Sequence, residues 1–160
     1  MSWSFFSLFL CCLAAITNML LTPINPIPIV ISTVVQQVLG FAFYGPFFGK
    51  YWLATMEKDK GSPRWMEESQ FSLISVLGSE VIFSYARAHA IALILAAMKV
   101  DSPEAAALTA FYIFAGITLP QIVSDANWEA RPALLPVIKS LRLGLVTLFI
   151  CEICVLWPAY

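Results

Sequence analysis

Glu80, Arg87 and His89 stand out because they share one otherwise apolar stretch, residues 78–98, long enough to cross a bilayer. A carboxylate, a guanidinium and an imidazole on one helix are the raw material of a proton path. Imidazole suits that task because its ordinary pKa of about 6.5 lies near neutrality. Each ionisable group at membrane depth costs roughly 2.5–3.5 kcal/mol on insertion scales, so each calls for a partner or a water-filled cavity. Two readings follow. The first is a polar network that fixes helix register, with His89 satisfied by a neighbour. The second is a polar track in which Glu80 or His89 exchanges protons. The first is favoured, because embedded polar groups commonly serve as interhelical fasteners.

A second chemistry is suggested by Cys151-Glu-Ile-Cys154, which has the spacing of a redox pair. Reactive thiolates draw on the positive end of a helix. This pair falls instead near the C-terminal end of its helix, with Glu152 between the thiols, so thiol oxidoreductase activity is disfavoured and no enzymatic activity is expected. Cys11 and Cys12 lie in an apolar run and read as membrane packing. The single histidine has no acidic neighbour at i+3 or i+4, so no metal site is expected.

The elements that must position these groups follow from composition. The chain has 160 residues, 60% of them hydrophobic and only 12% charged. Its mean hydropathy is +0.82. Soluble domains carry about 25% charged residues, so half that share points to a membrane. With a net charge of −1 and no basic stripe, nucleic acid is not an expected partner. The expected architecture is a single all-α transmembrane domain over residues 1–160, a polytopic helix bundle of five spans. Apolar runs place these spans at about 4–21, 28–48, 75–98, 104–123 and 133–157. The first run lacks the basic region of a signal peptide and reads as a retained helix.

Between the spans, Tyr44, Lys50, Tyr51 and Trp52 form an aromatic and cationic cluster of the interfacial-anchor kind, with Trp157 at the far end of the chain. Residues 57–68 make the one strongly polar loop. In the short turn after Lys99, Ser102 or Asp101 is placed to cap the next helix. Gln36 and Gln37 interrupt the second span and read as interhelical fasteners, with a polar path as the alternative.

Depth along each helix, at 1.5 Å per residue, suggests partners. Glu80 lies roughly 8 Å from the inner boundary and Lys139 roughly 9 Å, which makes them the first expected ion pair. Arg142, roughly 13 Å in, and Arg131 are both within reach of Asp125 at the end of the fourth span. Arg87 is harder to match: Gln36 or Gln37 lies closest to its level, and snorkelling is the alternative.

From the second span onward the chain resembles a family of small integral membrane proteins known only as domain of unknown function 1761. The resemblance rests on Tyr44-Gly-Pro-Phe-Phe-Gly-Lys-Tyr-Trp52, on the alternating small and apolar third span, and on Asn127-Trp-Glu-Ala-Arg-Pro132 leading into the last. It covers roughly residues 28–158. It implies a four-helix membrane core to which the first run is an addition. It implies no known activity, and no functional residue carries over.

The function expected from these features is association: an accessory or structural subunit of a larger membrane complex. The alternative is a small oligomeric ion or proton channel built on the polar set of the third and fifth spans. Expected partners are membrane lipids and other membrane subunits or further copies of the chain. No cofactor is expected beyond structural lipid. Lys50, Lys58, Lys60, Arg64 and Arg131 fall at one end of the bundle and Lys99 alone at the other. By the positive-inside rule the N-terminus and the 50–70 loop face the cytoplasm, matrix or stroma, and the C-terminus faces away.

Overall fold

The computed structural model describes residues 24–69 and 72–157, so the expected first span at 4–21 lies outside the described residues. Among the described residues there are six α-helices, two π-helical turns and no strand. Four continuous helical stretches are long and apolar enough to cross a membrane, at 22, 26, 26 and 23 residues. At 1.5 Å per residue each reaches at least about 33 Å, against a hydrocarbon core of about 30 Å.

Helix α1 (Pro26–Ala42) opens with Asn25 as its cap, whose side chain accepts from the Ile27 amide at 3.0 Å, and with proline in the first turn. It then passes into a π-helical turn, Phe43–Phe47, which contains Pro46. Proline has no amide to donate and its ring crowds the preceding turn of an α-helix. The wider π turn absorbs both defects without ending the helical path. Gly49 follows because a Cβ there would lie 2.7 Å from the Tyr44 carbonyl oxygen. Helix α2 (Gly49–Lys60) runs on from this junction to Gly61, whose φ of 69° closes it in the left-handed conformation.

Helix α3 (Leu73–Met98) is capped by Ser72 and stops at Lys99, which takes the left-handed conformation with φ 54°. There the amide of Val100 donates to the Leu95 carbonyl at 3.0 Å and that of Lys99 to Ala96 at 3.1 Å. Of the two caps the sequence left open, Ser102 and not Asp101 caps α4 (Pro103–Ile113), accepting from the Ala105 amide at 3.3 Å. A second π turn, Phe114–Thr118, joins α4 to α5 (Leu119–Trp128). The third described span is therefore α4, π turn and α5 together, ending five residues beyond the expected 123. Pro120 stands just past this π turn, so its missing amide falls where the helical register is already widened. Helix α6 (Leu134–Leu156) completes the fold.

Helix α6 is the centre: it packs against each of the other helices. In the outer half, where α3 ends and α4 begins, the core is apolar and made close by small residues. Ala88 and Ala92 on α3 and Ala106 and Ala110 on α4 recur at four-residue spacing and are all buried, beside Ile150, Cys151 and Cys154 of α6. With lipid on the outside as apolar as the core, close van der Waals packing of such small faces holds helices together. The inner half, where α3 and α6 begin, is different: there α1, α3 and α6 meet through polar side chains.

Candidate functional site

Glu80, Ser84 and Arg87 recur on α3 at spacings of four and three residues and so share one face. Gln36 and Gln37 of α1 reach that face from one side. The Gln36 side chain is fully buried; its amide nitrogen donates to the Ser84 carbonyl at 2.9 Å and its oxygen accepts from Arg87 Nη1 at 3.0 Å. Gln37 Nε2 donates to Ser84 Oγ at 2.9 Å. Both glutamines thus hydrogen-bond across from α1 to α3.

Arg142 enters from α6. Its Nη2 donates to Glu80 Oε1 at 2.6 Å, and its guanidinium carbon lies 5.3 Å from the centroid of the Tyr44 ring. That distance is within the range of a cation–π contact. Gly40 of α1 lies directly against the guanidinium, where a Cβ would meet it at an ordinary contact distance of 3.5–3.6 Å. The cluster therefore ties three spans and the first π turn together through Gln36, Glu80, Arg87, Arg142 and Tyr44.

The expected pairing of Glu80 with Lys139 is corrected to Glu80 with Arg142. Helix α3 begins at Leu73 rather than near residue 75, which carries Glu80 about 3 Å deeper, and α6 begins at Leu134 rather than near residue 133, which brings Lys139 and Arg142 about 1.5 Å shallower. From the observed helix starts, Glu80 is about 10 Å in and Arg142 about 12 Å in, whereas Lys139 is only about 7 Å in. Lys139 is exposed and pairs with no carboxylate among the described residues.

Asp125 is corrected as well. It accepts from Gln121 Nε2, one turn back on α5, at 2.6 Å, and pairs with neither Arg131 nor Arg142. Arg131 is held by Glu129 and, at 3.9 Å, by Asp59. The preceding Ala130, with a positive φ of 50°, turns the chain between α5 and α6 so that Arg131 points back at α2.

His89 does not join the cluster. Two residues beyond Arg87, it sits about 200° around the helix and faces elsewhere. Its ring stacks on Tyr85 with centroids 6.3 Å apart, and its Nδ1 is buried with no hydrogen-bond partner among the described residues. Cys151 and Cys154 are free thiols, both fully buried in the apolar core. No group of three or more potential metal ligands occurs among the described residues.

The anchor residues divide. Lys50, Tyr51 and Trp157 are exposed at the helix ends, as interfacial residues are. Tyr44 and Trp52 are half-buried, with rings 5.2 Å apart, and Trp52 meets Trp65 edge-on at 5.6 Å. The participation of Tyr44, Ser84 and Gly40 in the site was missed from sequence. The only signal for Ser84 was its helical spacing between Glu80 and Arg87.

A second feature lies at the same end of the bundle. Tyr44, the Trp52–Met56 side of α2, the end of α5 and the start of α6 enclose a cleft of about 200 Å³ that includes Asp125, Glu129, Arg131 and Lys139. No curated protein and no solved structure matches the chain. The family model for a protein of unknown function (DUF1761) matches residues 27–155, which begins at the first turn of α1 and ends one residue short of the last of α6. The four spans and the polar cluster that binds three of them all fall within that match, and the chain belongs to this family.

Proposed function

We propose that this chain is a small integral membrane protein that acts by lateral association with other membrane-embedded chains, as a structural or accessory subunit. The observation that carries the reading is a charge imbalance at membrane depth. All ten acidic residues of the chain lie in its described part, and only Glu80 belongs to the cluster. Two guanidiniums, Arg87 and Arg142, share that single carboxylate, and Arg142 takes its hydrogen bond. Arg87 is left with the neutral oxygen of Gln36. A cation inside the bilayer is costly without a counter-charge, and a carboxylate on a neighbouring transmembrane helix supplies one. Phe83, one turn before Arg87, is largely exposed and offers apolar surface beside it.

The surrounding architecture fits the same reading. Gln36, Gln37, Glu80, Arg87 and Arg142 are spent on contacts between helices, and the outer half of the core is apolar. Burial of both thiols in that core argues against redox work, since a reactive thiol needs access. The clustering of Lys50, Lys58, Lys60, Arg64 and Arg131 at the inner end supports a cytoplasmic, matrix or stromal location for that end. An oligomeric channel is the second reading, favoured by Glu80 and Arg87 lying at intermediate depth on one face of α3.

Gentle detergent extraction of the tagged chain separates the two. Association predicts stable co-isolation with one or more different membrane chains, and loss of that co-isolation in Arg87→Gln. A monodisperse oligomer of this chain alone, with Arg87→Gln without effect on its composition, rejects it.

A further inference from the structure

The cleft at the inner end carries both signs of charge and stands beside a larger apolar groove. Trp52 and Met56, one turn apart on α2, line both. On one side they face the cleft, with Asp125 and Glu129 on α5 and Lys139 on α6. On the other they face Trp65, Met66, Leu73 and Val76, which enclose a groove of about 380 Å³. A polar recess and an apolar trough that meet at one ridge match an amphiphile lying across it. Cavities of this combined size are in the range that holds small ligands.

The charges narrow the headgroup. Lys139 is the cation of the cleft with no carboxylate partner among the described residues, and an ammonium on a flexible stem is well suited to a phosphate. Arg131 is already held by Glu129 and Asp59, so it adds little free positive charge. Asp125 accepts one hydrogen bond, from Gln121, and a carboxylate has room for several. With acid and base both available, an anionic headgroup has no advantage over one that carries its own amine. The cation–π position on Tyr44 is taken by Arg142, which disfavours a quaternary ammonium seated on that ring.

We infer that the Trp52–Met56 ridge seats a phospholipid with a primary-amine zwitterionic headgroup: its phosphate on Lys139, its amine on Asp125, and an acyl chain in the groove against Trp65 and Leu73. The site stands independently of the association reading, since neither Arg87 nor Glu80 takes part.

The test uses the full chain, delipidated in detergent, with phosphatidylethanolamine, phosphatidylcholine or phosphatidylglycerol of identical acyl chains added back. Binding is read by native mass spectrometry and by thermal unfolding. Phosphatidylethanolamine is expected to bind and to raise the unfolding temperature most. Lys139→Ala and Asp125→Asn should each weaken its binding about tenfold, the loss of one charge-assisted contact. Lys58→Ala, a charge change on the exposed side of α2, should leave binding unchanged. Trp65→Ala should weaken all three lipids alike. Equal binding of the three headgroups by the unaltered chain overturns the assignment. So does tight phosphatidylglycerol binding that is indifferent to Asp125→Asn, which would mark a site for phosphate alone.

Discussion

At the scale of single residues, Gln36 is the side chain on which most depends. It is fully buried and uses both ends of its amide, one on the Ser84 carbonyl and one on Arg87. Gln36→Leu preserves the size of the side chain and leaves a guanidinium without its acceptor, so we expect a loss of about 1–3 kcal/mol in stability. Gln37→Leu removes only a half-exposed bond to the Ser84 hydroxyl and should cost less, near the average of about 0.6 kcal/mol for interhelical hydrogen bonds in bilayers. Unfolding of the two variants in mixed micelles of increasing SDS fraction checks the order. Glu80→Gln should be more damaging than Gln37→Leu, because it leaves Arg87 and Arg142 facing one another with no carboxylate between them. An equal effect of Glu80→Gln and Gln37→Leu would show that the Arg142 pair contributes nothing beyond a neutral hydrogen bond.

At the scale of elements, the first π turn determines where Tyr44 and Trp52 point. Its geometry allows no side chain at Gly49, where a Cβ would meet the Tyr44 carbonyl oxygen at 2.7 Å. Gly45, four residues earlier and inside the π turn, has open space around it. Gly49→Ala is therefore expected to destabilise the junction of α1 and α2 by about 1–3 kcal/mol, the usual cost of overpacking, while Gly45→Ala is tolerated. Paired SDS-unfolding curves, with tryptophan emission following the Tyr44–Trp52–Trp65 set, distinguish the two. Pro46 and Pro120 are visible in the sequence, but the π turns beside them are not. A proline shows only that one amide is missing. Whether the helix ends or widens depends on whether the flanking turns are held in line, here by α6.

At the scale of the whole molecule, the four described spans and their connections make a testable topology. In a background with the native cysteines replaced, single cysteines at Gly61 and Ala130 should react with a membrane-impermeant maleimide from one side. A single cysteine at Asp101 should react from the other. Labelling of all three from the same face would reject the arrangement of spans. The polar cluster gives this bundle its register, because sliding α3 by one turn against α1 would separate Ser84 and Arg87 from Gln36 together. In an apolar solvent, where hydrophobic burial does not discriminate between registers, such directional contacts do.

The membrane class and the approximate limits of the four described spans were determined by the sequence itself, since they depend on local hydropathy and length, quantities summed along one stretch of chain. The family resemblance and the Ser102 cap were likewise local patterns. Partner choice was not local. Lys139 and Arg142 are three residues apart on one helix, and a shift of two residues in the start of α3 together with one in the start of α6 decides which of them lies level with Glu80. The place of Arg142 over Tyr44 also brings it against Gly40, so three positions on two spans set it together. The exclusion of His89 from the cluster follows from the face of α3 that α1 and α6 cover, not from its depth. Only the tertiary structure could fix these features, because each depends on where two or more helices stand relative to one another to within one turn.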